Sequence, residues 1–116
     1  MGTLITSLIV PARLHEKIRV ESIQASMVVK QLLVDGNFEA ISGRDWHVLL
    51  NDQAAHIPLP LNPRAEVLIR EAGASMEGTV SGTAVFLGHG INGGDQDVPG
   101  HLLALAERLF EARLAA

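Results

Sequence analysis

Within Leu32-Leu33-Val34-Asp35-Gly36-Asn37-Phe38-Glu39-Ala40-Ile41-Ser42, an apolar helix end runs into a turn and then into an alternating segment. Upstream, Ala25, Val28, Val29, Leu32 and Leu33 recur at i, i+3, i+4, i+7 and i+8, the spacing of one buried stripe on an amphipathic helix. Ser22 suits the N-cap and Glu21 the positive helix end, so the pattern predicts a helix from Ser22 to about Val34. Gly36 can take the left-handed conformation that closes a helix C-terminus. Phe38, Ala40 and Ile41 then resume in an extended run with Glu39 pointing the other way. A helix is being turned back onto a sheet.

Before that helix, Thr3 to Val10 is a β-branched run ended by Pro11, which predicts a first strand, and Ala12 to Val20 reads as a connection. After it, Ser42 to Asp45 is turn chemistry and Trp46 to Leu50 a further strand closed by Asn51-Asp52. His56 to Leu59 can return as its hairpin partner, kept off a central sheet position by Pro58 and Pro60. Asn62-Pro63 is an N-cap followed by a proline at the first helical position. The helix it opens buries Ala65, Leu68, Ile69 and Ala72, pairs Glu66 with Arg70 outside, and stops at Gly73.

Gly78 to Leu87 reads as a strand whose small residues suit close packing by a helix. Gly88 to Val98 is a glycine-rich loop, and Pro99 opens a last helix with Leu102, Leu105, Ala106, Leu109 and Phe110 on one stripe. Strands and helices alternate irregularly, with no repeat, linker or low-complexity tract. We expect one α+β domain over 1–116: a mixed or antiparallel sheet of about four to five strands, three helices, and the C-terminal helix on the sheet.

The chain has 116 residues, of which 47% are hydrophobic, and its mean hydropathy is +0.24, so apolar surface is left over for packing between subunits. A homo-oligomer is expected. Nine Lys+Arg against thirteen Asp+Glu give a net charge of -4 with no cationic cluster, which argues against nucleic-acid binding. Cysteine is absent, which excludes disulfides and thiolate chemistry and fits a reducing cytoplasm. Leu4 to Val10, broken by Thr6 and Ser7, is too short for a signal peptide or membrane span. Met1 to Thr6 carries the letters of a myristoylation signal, whose use requires a eukaryotic transferase.

Gly88-His89-Gly90-Ile91-Asn92-Gly93 follows a strand and has the letters of a dinucleotide fingerprint, yet the helix starts too late to aim its amides at a pyrophosphate. His89, Asp95, Asp97 and His101 offer imidazole and carboxylate donors for a divalent metal, against the simpler role of Asp97 as a cap for the last helix. Ser75 lacks the strand-then-helix setting of a nucleophile elbow, and no histidine has a certifiable relation to a serine. The best physical claim to a ligand belongs to Asn62 and Arg64, where a helix N-terminus adjoins a planar cation. Trp46 offers a ring for stacking or for the core, and His89 and Asn92 sit in the glycine-rich loop.

Val34-Asp35-Gly36-Asn37-Phe38-Glu39, the strand ending in Asn51, Leu59-Pro60-Leu61-Asn62-Pro63-Arg64-Ala65 and Gly82-Thr83-Ala84-Val85 together resemble a family of small uncharacterised proteins frequent in phages and mobile elements of actinobacteria. Order and spacing agree over nearly the whole chain. The resemblance implies an accessory protein acting in the cytoplasm, the host's if phage-encoded, and supplies no reaction. We therefore expect a non-enzymatic, homo-oligomeric protein without cofactor or resident metal. Its expected ligand is a small nucleotide-like anion, bound through Asn62, Arg64, Trp46, His89 and Asn92. The alternative is a protein-interaction module that inhibits or redirects a host factor, and a metal-assisted hydrolase ranks third. Neither nucleic acid nor membrane is an expected partner.

Overall fold

Leu4–Val10 forms β1, and Arg19–Gln24 folds back on it as β2 with Leu4 opposite Gln24 and Ile9 opposite Arg19. This is a computed structural model, and it describes residues 4–54 and 56–114. The expected strand start at Thr3, the myristoylation letters at Met1 to Thr3 and Ala55 of the turn after Asn51 lie outside the described residues. Ser22, expected to cap the first helix, is instead in the middle of β2, facing Thr6. Pairing with β1 outweighs the local capping signal, and Ile23 gains a place in the core.

Helix α1 accordingly begins later and is short, Met27–Val34. Its N-cap is Ser26, whose hydroxyl accepts from the Val29 amide over 3.2 Å. The left-handed residue at its C-terminus is Asp35 (φ 62°), and Gly36 follows at φ 151°, so the turn starts one residue earlier than Gly36 suggested. Phe38–Ser42 is β3 and Trp46–Asn51 is β4, joined as an antiparallel hairpin with Ala40 opposite Leu49.

His56 to Leu59 does not return as a strand. That segment stays irregular; the pairing comes just after it, where Leu61 bridges to Ser81 and Gly82 donates to the Pro60 carbonyl over 2.8 Å. Proline at 58 and 60 removes the donors a ladder needs. Helix α2, Pro63–Glu71, starts where expected and buries Ala65, Leu68 and Ile69, with Glu66 and Arg70 paired at 2.8 Å. Strand β5 is shorter than the pattern suggested, Ala84–His89, and β6, Asp95–Gln96, folds back from the glycine-rich loop onto it. Helix α3 is Gly100–Phe110, with Pro99 at its N-cap position. Asp97 does not cap it: its carboxylate accepts the Thr6 amide over 2.7 Å.

All described pairings are antiparallel, in the order β2-β1-β5-β4-β3 with β6 beside β5. The fold is α+β, a six-stranded sheet with three helices. The central β5 is buried on both faces: Ala84 and Phe86 meet α2 and α3, while Val85 and Leu87 face α1. The larger core holds Trp46, Phe86, Leu68, Ile69 and Leu102, and the smaller holds Ile5, Ile9, Ile23, Val34 and Leu49. Each large apolar side chain buried there contributes about 1.5–3 kcal/mol. No helix among the described residues is long and apolar enough to cross a membrane.

Candidate functional site

Helix α1 carries the chain across the sheet, from the β2 edge to the β3 edge, and it is too short to cover that face. Of its expected stripe, Ala25 precedes the helix and is exposed, and only two of the other four residues turn inward. Val29 and Leu33 pack on the smaller core, while Val28 and Leu32, one residue back and about 100° around the helix, stand 65% and 71% exposed. Met27 is 60% exposed beside them. A concavity of about 400 Å³ lined by Val28, Gln31, Leu32, Asp35 and Gly36 runs along this outer face to the turn that follows it.

Strand β3 is an outermost strand. Gly43 donates to the Trp46 carbonyl (2.8 Å) and Asp52 to that of Asn37 (3.0 Å), so residues of odd number in β3 turn their main chain toward β4. By alternation, Phe38, Ala40 and Ser42 direct theirs outward. No proline or lysine protects this edge. The other outermost strand, β2, carries the Arg19–Glu21 ion pair.

A polar cluster lies inside α1. Asp95 of β6 accepts from Lys30 of α1 and meets His47 Nε2 of β4 at 3.1 Å. The His89 ring stacks on that of His47, centroids 5.6 Å apart, while its Nε2 meets the Arg44 carbonyl at 3.0 Å. Burial lowers the His47 pKa from 6.5 and Asp95 pulls it back up, with His89 and Lys30 adding to the lowering. Four elements are thereby joined through one carboxylate and two stacked rings.

The five residues expected to hold a ligand do not converge. Asn62 is fully buried: its amide donates to the carbonyls of Val10 (2.9 Å) and Gly82 (2.8 Å), and its oxygen accepts the Ala65 amide (3.0 Å). Arg64 Nη2 donates to the carbonyls of Pro11, Arg13 and Glu16 at 2.8–2.9 Å, which gathers the β1–β2 loop around the guanidinium. Its Nε is buried without a partner, and burial lowers its pKa. Trp46 is buried against Phe86, centroids 5.8 Å apart. His89 belongs to the polar cluster, and Asn92 is exposed in the loop nearby.

Of those five, Arg64 alone lines the cleft between the β1–β2 loop and the end of α3. That cleft, about 450 Å³, is bounded by the cations Lys17, Arg64 and Arg113, the acids Glu16 and Glu111, and apolar Leu14, Ile18 and Phe110. Of His89, Asp95, Asp97 and His101, the first two stay together in the polar cluster and the other two lie apart from it. Asp97 holds Thr6 and His101 pairs with Asp45 at 2.8 Å, and among the described residues no three His, Asp or Glu side chains are placed to share a metal.

Sequence reasoning did not find the joint roles of Lys30, His47 and Asp95, because their partnership spans α1, β4 and β6 and leaves no spacing. Asn51 was visible only as a strand end. Its amide donates to the carbonyls of Val34 and Asp35 and its oxygen accepts the Gln53 amide, so it closes α1 from below.

Fold and side-chain placement together define a small α+β domain in which Asn51, Asn62 and Arg64 secure the chain's own helix ends and loops. The chain belongs to the family described as a domain of unknown function, DUF3846, which matches residues 5–111. No curated protein and no solved structure matches it.

Proposed function

We propose that this chain is a non-enzymatic binding protein that acts by docking a protein partner on the outer face of α1 and the adjoining β3 edge. The observation that carries this is the exposure of Met27, Val28 and Leu32 together on one face of a helix whose inner face is already packed. An apolar face of this kind gains by burial against another protein. The resemblance to phage and mobile-element proteins supports an accessory role in the cytoplasm.

The test is co-purification with wild-type protein and with Leu32→Asp as baits. A protein held by the wild type and released by Leu32→Asp supports the docking face; identical retention by both baits overturns it. Leu32 is exposed, so the variant keeps its fold.

A second reading, a small anionic ligand of nucleotide type, is favoured by the cleft at Arg64, where three cations stand against apolar walls. Its acidic rim of Glu16 and Glu111 suits a ligand bearing an apolar or cationic portion as well as the anionic group. Arg113→Ala is the discriminating substitution, because Arg64 also secures a loop. Calorimetric titration with nucleotides that gives equal affinity for wild type and Arg113→Ala removes the cleft from consideration.

A further inference from the structure

We infer that the occupant of the α1 and β3 surface is a second copy of this chain, paired antiparallel through β3 with Ala40 opposite Ala40. This rests on the docking face just proposed and names its partner. On a twofold axis at Ala40, Phe38 lies opposite Ser42 of the second copy, and each outward N–H of residues 38, 40 and 42 meets an outward carbonyl. Glu39 falls opposite Ile41 of the second copy, so the register brings no like charges face to face. The β2 edge is less suited, since its outer part carries the Arg19–Glu21 pair.

The edge alone is small. A stable dimer buries roughly 800 Å² on each partner, more than a five-residue strand supplies. The twofold leaves both α1 helices on the same side of the joined sheet, the side on which exposed Ala40 also stands. The concavity along Val28 and Leu32 ends at Gly36, and Gln31 on its wall donates to Asn37 Oδ1 over 2.9 Å, so the outer face of α1 adjoins the residue before β3. The two copies of α1 thus close over a seam that one copy leaves open, and the apolar side chains left outside the core become its cover.

The absence of cysteine allows a register test. Single-cysteine variants Ala40→Cys, Ser42→Cys and, on the other edge, Gln24→Cys are oxidised in dilute solution, and the mass of the wild-type protein is measured by light scattering over a hundredfold concentration range. The expected result is a mass twice 12.4 kDa at high concentration. Oxidation is expected to convert most of Ala40→Cys to a covalent dimer, at least tenfold faster than Ser42→Cys or Gln24→Cys. Ala40 is small and exposed, so this variant folds.

A monomer at every concentration overturns the self-pairing and leaves the docking face to be judged by the co-purification. A dimer that Leu32→Asp dissociates but Ala40→Cys does not trap overturns the strand pairing while upholding the α1 face. A dimer trapped through Gln24→Cys instead overturns both the edge and the register.

Discussion

The side-chain amide of Asn51, at the end of β4, donates to the main-chain carbonyl of Val34 over 3.0 Å, joining positions 17 residues apart. Val34 is the last residue of α1, so its carbonyl has no intrahelical donor. Asn51 supplies one, reaches the Asp35 carbonyl at 3.2 Å, and holds the Gln53 amide with its oxygen at 2.7 Å. A buried asparagine thus closes a helix and starts a turn at once. Asn51→Ala is expected to cost about 1–3 kcal/mol, the penalty for stranding buried polar groups. Urea unfolding at neutral pH measures it, and a loss under 0.5 kcal/mol would contradict the assignment.

Gly43 sits over the Trp46 ring so closely that a Cβ there would lie 2.3 Å from Cε2. Gly43→Ala therefore forces Trp46, which is buried against Phe86, out of its place. The expected destabilisation is about 1–3 kcal/mol, accompanied by a change in tryptophan fluorescence. An unchanged emission spectrum and midpoint would show that the hairpin yields instead.

The pH dependence of stability follows from His47. Burial holds its folded-state pKa below 6.5, so between that lowered value and 6.5 the unfolded chain binds more protons than the folded one. The neutral ring's contribution is complete above about 6.5 and declines as pH falls through that window. Unfolding free energies at pH 7.5 and 5.5 should differ more for wild type than for His47→Gln, in which the titrating ring is gone. Equal pH dependence in the two proteins would exclude His47 as the source.

Arg64 binds three carbonyls of the β1–β2 loop, so Arg64→Ala should loosen residues 11–18 and cost about 1–2 kcal/mol. Hydrogen exchange should quicken in that loop and stay unchanged in α1. Lys17→Ala and Arg113→Ala, at the same cleft, should leave the loop's exchange as it is.

Leu32→Asp replaces an exposed apolar residue on α1 and should alter monomer stability by no more than about 0.5 kcal/mol. Thermal unfolding at low protein concentration checks this. A large loss would mean that Leu32 supports the fold of the single chain.

Local signals were legible where one side chain acts on its own neighbours. Asn62-Pro63 starts α2 by capping the Ala65 amide, and the apolar spacing of Ala65, Leu68 and Ile69 marks the face that is buried. Alternation in Val34 to Ser42 gave the passage from helix to strand, and the β-branched run before Pro11 gave β1. Composition and element order together were enough for the α+β class.

Non-local pairing decided the rest. Ser22 has the chemistry of a cap, but β1 needed a partner on its free side, and a ladder with Thr6 prevailed. Whether Val28 or Val29 turns inward depends on where α1 meets the sheet, which helical spacing cannot specify. The carbonyls held by the Asn51 amide and by Arg64, and the Lys30 partner of Asp95, lie 16 to 65 positions away in the chain. Sequence determines which residues have polar groups to satisfy and apolar surface to bury; only the packed chain, by bringing distant donors and acceptors within hydrogen-bonding range, decides which group satisfies which and which apolar face is left over.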